Sequence, residues 1–137
     1  KLIKAELPPE MFEKSAQDEI PEIDFRVGSA TAIPYHGEGF DLVLTDAALI
    51  YIGPDKMDRV IREIRRVGYD KMLFIEFHSD NWWKRMVLRM ASRYFAYDWG
   101  KLLVRKHFKR VNLDKIKEEV WPNSLWTNFG FFITAIR

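Results

Sequence analysis

The sequence predicts an α/β layered fold, a mostly parallel sheet covered by helices and finished by a C-terminal antiparallel β pair. Three observations predict it. Strand-like and helix-like stretches alternate along most of the chain, in the order β-α-β-β-α-β-α-β-β. The stretch over 40–45 holds a continuous apolar run, Leu42-Val43-Leu44, of the kind found in strands covered on both faces. The chain closes with two further strand-like stretches, over 108–113 and 129–136.

Each element has its own local reason. Residues 2–7 read as a short strand, and Pro8-Pro9-Glu10 as a helix start, since proline in the first turn forfeits no hydrogen bond. Met11, Phe12, Ser15 and Ala16 fall at helical spacing up to about residue 19, and Pro21 ends that helix. Ile23-Asp24-Phe25-Arg26-Val27 alternates apolar with charged, a half-exposed strand near a sheet edge, and Gly28 stops it. After the strand over 40–45, Gly53-Pro54-Asp55 opens the best-patterned helix of the chain. Met57, Val60, Ile61, Ile64 and Val67 repeat at i, i+3, i+4, i+7. Asp55/Arg59 and Asp58/Arg62 form i, i+4 pairs on its wet side, and Gly68 closes it. Residues 72–77 read as a buried strand. Trp83, Val87, Met90, Ala91 and Tyr94 make a further amphipathic stripe, capped by Ser79 or Asp80, and a second helix is expected over about 98–107.

Composition narrows the class. The chain has 137 residues, 47% hydrophobic and 15% aromatic, enough for one domain with a core of its own. Cysteine is absent, which excludes a disulfide scaffold and a thiol nucleophile and suits a reducing, cytoplasmic setting. No apolar run approaches the ~18 residues of a membrane span. The opening Lys1-Leu2-Ile3-Lys4-Ala5-Glu6 has neither a signal-peptide core nor an initiator Met, so the chain is expected to be processed or cut, or a piece of a longer one. Charge is uneven. Residues 1–80 carry a net −6, whereas residues 84–110 carry nine Lys/Arg against Asp98 alone, a local +8. That stretch fits either an anionic partner or a solubilising helix face. The expected organisation is one domain over 1–137 with a basic helical insertion at about 80–108.

Several segments carry a family resemblance. Ala5-Glu6-Leu7-Pro8-Pro9-Glu10-Met11 resembles the end of the second strand in class I S-adenosylmethionine-dependent methyltransferases, where an acidic residue closes the strand and a helix follows. The run from Phe25-Arg26-Val27-Gly28-Ser29-Ala30 to Tyr35 resembles that family's third strand and adenine loop. Phe40-Asp41-Leu42-Val43-Leu44-Thr45-Asp46 resembles its fourth strand, whose end reaches the methyl donor, and residues 57–67 resemble the helix after it. Residues 122–132 resemble the terminal hairpin. The tail, with Glu118-Glu119-Val120-Trp121-Pro122 and Phe129-Gly130-Phe131-Phe132-Ile133, is similar to methylases of bacterial and archaeal surface-sugar gene sets, such as pseudaminic-acid-associated ones. The resemblance spans nearly the whole chain and implies a Rossmann-like methyltransferase sheet.

One part of the pattern is missing. The family's first strand ends in a Gly-x-Gly loop that brings backbone amides to the donor, and none of Gly28, Gly37 and Gly39 follows a strand with that spacing. The resemblance implies that the first strand, its loop and the first helix are absent. Three outcomes are then expected: a rearranged sheet, a dimer that supplies the missing pairing, or an N-terminal part lost before Lys1. The resemblance implies a methyltransferase when intact, and the chain by itself is expected to be inactive and a poor binder of S-adenosylmethionine.

The resemblance also implies site residues, each with an ordinary alternative. Glu6, with Leu7 beside it, would accept the donor's ribose hydroxyls, or be a surface glutamate. Ser29 and Ala30 would meet the adenine, or form a simple turn. Thr45 and Asp46 would face the sulfonium or a substrate hydroxyl, or cap the next turn. Tyr51 stands where many relatives carry His. Read from the residues alone, Glu76 and His78 alternate on one strand and could form an acid/base pair, or a polar pair at the sheet rim. Asp46, Glu76 and His78 are thus the catalytic candidates. His36, His78 and His107 lack metal-ligand spacing, and no metal is expected. Trp82, Trp83, Tyr94, Phe95, Tyr97 and Trp99 interleave with basic residues, a pattern that stacks sugars or bases but at helical spacing usually means core.

Methyl transfer to a small-molecule or glycan-type acceptor is the leading function. The alternative is a non-catalytic module of the same fold, either binding an anionic partner such as nucleic acid through its basic surface or forming a homo-oligomer through open sheet edges.

Overall fold

The computed structural model describes residues 26–137. The expected strand over 2–7, the helix that follows, residues 23–25, and the candidates Glu6 and Leu7 lie outside the described residues. Four strands, β1 (Phe40–Asp46), β2 (Gly68–Phe77), β3 (Lys109–Lys115) and β4 (Gly130–Ile136), form one sheet in the order β1-β2-β4-β3. Between them run α1 (Pro54–Val67), α2 (Trp82–Ser92), α3 (Trp99–Arg105), α4 (Ser124–Phe129) and a 3-10 turn at Leu49–Tyr51. β1 pairs parallel with β2, setting Val43 opposite Met72 and Asp46 opposite Ile75. β4 is antiparallel to both β2 and β3. The fold is α/β, with a sheet that is mixed among the described strands.

Helix α1 forms as its pattern predicts. Gly53 precedes Pro54 at the helix start, and Met57, Val60, Ile61, Ile64 and Val67 are buried. Met57, Val60, Ile61 and Ile64 pack with Trp99, Leu102 and Leu103 of α3 against Met72, Phe74, Ile133 and Ala135, so both helices cover one sheet face. Full burial of each large side chain is worth roughly 1.5–3 kcal/mol. Trp99 ties the layers together, stacking on Phe74 at 5.5 Å and donating its indole N–H to the Phe77 carbonyl at 2.9 Å. Leu88 of α2 and Trp126 of α4 join Ile50, Phe77, Ala96 and Ile116 in a second cluster near the other end of β2.

Several expectations change. Arg26 and Val27 are not in a strand; Arg26 donates to the Pro34 carbonyl at 3.4 Å, and a β-bridge joins Ser29 and Ala32. Leu42 and Leu44 are 53% and 55% exposed, because β1 is the edge of the described sheet and α1 covers only the side carrying Val43. Gly68 closes α1 as expected, as its C-cap. Its φ is −84° and it begins β2 directly. A Cβ there would lie 2.5 Å from Met72 and 2.9 Å from Val43, so close approach is what requires glycine. The α2 stripe is reversed, with Leu88 buried and Trp82, Trp83, Val87 and Met90 exposed. The α2 cap is Asn81, whose Oδ1 accepts from Trp83 N at 2.9 Å and Lys84 N at 3.2 Å; the Ser79 hydroxyl instead accepts from Asn81 N. The two helices expected in the basic stretch form, a mostly exposed α2 and an α3 that enters the core.

Candidate functional site

The carboxyl ends of β1 and β2 lie side by side, where parallel strands in open α/β sheets hold ligands. β1 delivers Thr45 and Asp46 there. The chain then turns sharply at Ala47, whose φ is 48° and whose N–H bonds the Ile75 carbonyl at 2.9 Å. Asp46 is exposed at the strand end. The Thr45 hydroxyl is buried beside the Glu76 carboxylate.

Glu76 holds this turn from below. It is fully buried, and its carboxylate accepts three backbone N–H groups, from Ala48 at 3.1 Å, Leu49 at 3.0 Å and Ile50 at 3.2 Å. Burial pushes its carboxyl above the ordinary range, while the three donors and the nearby Thr45 pull the other way. Glu76 and His78 share no hydrogen bond. The first is spent on the turn, and the second faces elsewhere.

His78 sits just past β2, half-buried. Its own N–H bonds the Phe129 carbonyl at 2.7 Å, and its ring meets Phe131 edge-on at 4.8 Å. Nδ1 accepts the backbone N–H of Trp99 at 3.2 Å. Nδ1 therefore carries a lone pair, and the neutral ring holds its proton on Nε2. Burial keeps the imidazole below its ordinary range, against the pull of Asp98 and Asp80. A neutral ring with a fixed Nε2–H is a hydrogen-bond donor. It could take a proton at Nε2 only by breaking the bond to Trp99. Beside it lies a cavity of about 470 Å³, lined by His78, Asp80, Lys84, Lys115, Asn128 and Phe131 among others.

Ser29 and Ala30 form the second part of the site. The Ser29 hydroxyl accepts from Thr31 N at 3.2 Å and lies 2.8 Å from the Thr31 hydroxyl, while Ala30 packs on the core. The following loop is pinned along α1. Arg59 donates to the Thr31 carbonyl at 2.8 Å, Glu63 accepts from Ile33 N at 2.9 Å, and Arg66 donates to the Ile33 and Tyr35 carbonyls at 2.9 and 2.8 Å. Loop and helix run in the same direction, so Ser29 lies toward the α1 N-terminus, the end at which β1 delivers Asp46. The expected Asp58/Arg62 pair forms at 3.9 Å, whereas Arg59 serves the loop.

Sequence reasoning missed Lys115 and Asn128, which reach the His78 cavity from β3 and α4. It also missed the Trp99 amide that sets the His78 tautomer. No local pattern marks these groups, since chain reversals bring them to His78 from 21 to 50 positions away. Tyr51 is exposed and packs edge-on against Tyr94 at 5.3 Å.

The methyltransferase domain family matches residues 2–69, just under half of the chain. No curated protein matches it. Among solved structures, the chain is similar to a protein of Pyrococcus horikoshii OT3 at 15% identity and a TM-score of 0.62, over 93% of this chain and 66% of that one. It is similar to an S-adenosylmethionine-dependent methyltransferase of Methanosarcina mazei at 18% identity and a TM-score of 0.59, over 83% of this chain and 66% of that one. A methyltransferase of Mesorhizobium loti aligns at 13% identity and a TM-score of 0.64, over 96% of this chain and 77% of that one. The chain spans just under two thirds of the length of the first two. At these identities the likeness is one of fold.

Proposed function

We propose that the chain is a methyltransferase domain that binds S-adenosylmethionine at the carboxyl ends of β1 and β2 and serves a small-molecule or glycan-type acceptor of the surface-sugar kind. What supports this reading above all is the agreement of two independent findings. The family match runs from residue 2 through β1 and α1, and the described strands take a parallel-then-antiparallel order seen in methyltransferase structures.

The residues fit such a donor. The Asp46 carboxylate is exposed at the strand end, and Thr45 beside it is half-buried against Glu76. When bound, the donor supplies a methyl group already activated on a positively charged sulfur. Asp46 faces that charge, and Thr45 orients the amino-acid end. Ser29 and Ala30 border the adenine, and Glu6 and Leu7 serve the ribose. Glu76 positions the turn after β1 without touching substrate. His78 donates through Nε2–H to an acceptor oxygen in the adjoining cavity. Its polar groups with one aromatic wall suit a sugar. Catalysis rests on positioning.

The test is a nuclear magnetic resonance titration of the chain with S-adenosylhomocysteine into the millimolar range. Amide shifts at Ser29, Ala30, Thr45 and Asp46 are expected. Affinity should be weaker than micromolar, because no Gly-x-Gly loop follows a strand in this sequence. Shifts absent from both segments would sink the reading, and micromolar affinity would refute the incomplete cradle.

One observation favours a second reading, a non-catalytic, oligomer-forming module. β1 has a free edge in the described sheet and exposes Phe40, Leu42 and Leu44. A second copy pairing across a two-fold axis would cover it. Light scattering decides: a monomer at every concentration removes this option.

A further inference from the structure

Helix α2 carries its apolar face outward. At 100° per residue, Trp82, Met86, Met90, Trp83 and Val87 fall on one continuous arc. They are exposed by 62%, 37%, 78%, 55% and 53%. The opposite side holds Leu88, the one buried residue of this helix.

This rotation is fixed, not slack. Asn81 caps the first turn, and Arg85 donates to the Ser79 carbonyl at 2.8 Å. Arg89 stacks over the Phe95 ring at 4.2 Å. An outward face so anchored needs a reason, since large apolar side chains grouped in water are costly.

Composition selects the occupant. The helix and its C-cap contain Lys84, Arg85, Arg89 and Arg93 and no acidic residue. Lys84 and Arg93 are exposed around the apolar arc, while Arg85 and Arg89 serve the fold. Trp82 and Trp83 sit side by side at the first turn with ring centroids 5.0 Å apart. Tryptophan prefers the boundary between water and hydrocarbon. A second copy of α2 would bring like charge against like, and a nucleic acid would leave Met86, Val87 and Met90 unused. An anionic lipid surface satisfies both the arc and its cations. Among the described residues no helix is long and apolar enough to cross a membrane, so α2 would lie on the surface.

We propose that α2 is a membrane-surface anchor, with Trp82, Trp83, Met86, Val87 and Met90 at the acyl boundary and Lys84 and Arg93 among lipid phosphates. Lys84 also lines the cavity beside His78, so docking brings that cavity to the headgroups.

The experiment mixes the chain with vesicles of phosphatidylglycerol and phosphatidylcholine in equal parts, and separately with phosphatidylcholine alone. Co-sedimentation with the anionic vesicles and a blue-shifted tryptophan emission are expected, with partitioning about tenfold weaker on the neutral ones. Trp82→Glu and Met90→Glu should each lower partitioning by about tenfold or more with an unchanged melting curve. Lys84→Glu should weaken it on anionic vesicles only. Val104→Glu, at an exposed apolar position on α3, should leave it unchanged. Absence of vesicle binding, an equal loss in Val104→Glu, self-association that the same α2 substitutions abolish, or displacement from vesicles by an oligonucleotide would each overturn the proposal.

Discussion

Glu76 shows how burial reassigns a residue. On paper it alternates with His78 and reads as half of an acid/base pair. In the fold its three acceptor bonds fix the turn that follows β1, and no water reaches it. Replacing it by Ala would leave three N–H groups without acceptors. An unsatisfied buried donor costs about 1–3 kcal/mol, so with some relaxation Glu76→Ala should destabilise the chain by about 2–4 kcal/mol in urea denaturation. A loss within experimental error would mean that the turn holds itself. His78 teaches the same lesson from the other side. Its chemistry depends on the Trp99 amide, which nothing in the sequence near His78 foretells.

At the scale of elements, α1 works on both sides. Its buried stripe was legible because five apolar residues recur at one spacing. Its outer side was legible only as charge, and the structure turns that charge into a clamp on the loop after Ser29. The Arg66 guanidinium and then the Ile33 N–H hold the Glu63 carboxyl down at about 2. A depressed carboxylate contributes stability that is present above its unfolded value, near 4.5, and lost as pH falls toward 2. Glu63 is partly exposed, so solvent screens the effect and it should be modest. Thermal melts between those limits should show Glu63→Gln losing less stability on acidification than the parent. Equal acid sensitivity in both would contradict the clamp. Helix α2 marks the opposite case. Its periodicity predicted a helix correctly, but periodicity does not say which way an apolar stripe faces.

For the whole molecule, the position of β1 at the edge of the described sheet matters most. Leu42 and Leu44 share one face and are exposed, although a run such as Leu42-Val43-Leu44 reads as fully covered. If a second copy covers that edge, changing Leu42 and Leu44 together to Lys should convert an oligomer to a monomer in light scattering, since charges on an edge oppose strand pairing. Oligomers unchanged by the pair would point to another surface. Charge is also redistributed by the fold. Lys106 and Arg105 of the basic stretch meet Asp58 of α1 at 2.6 and 3.5 Å, and Lys101 meets Asp98 at 3.0 Å. Much of the cation excess left free lies on α2.

The sequence by itself determined the α/β class, the span of α1 and the closing β pair. These follow from short-range periodicity and capping, which neighbouring residues settle among themselves. It also located Thr45 and Asp46 at a strand end. Only the tertiary structure decided that Glu76 is a brace, that Trp99 sets the proton on His78, that β1 borders the described sheet and that α2 faces outward. Each of those depends on partners distant along the chain, brought close by layer packing, and a linear pattern carries no record of which side of an element its neighbours will occupy.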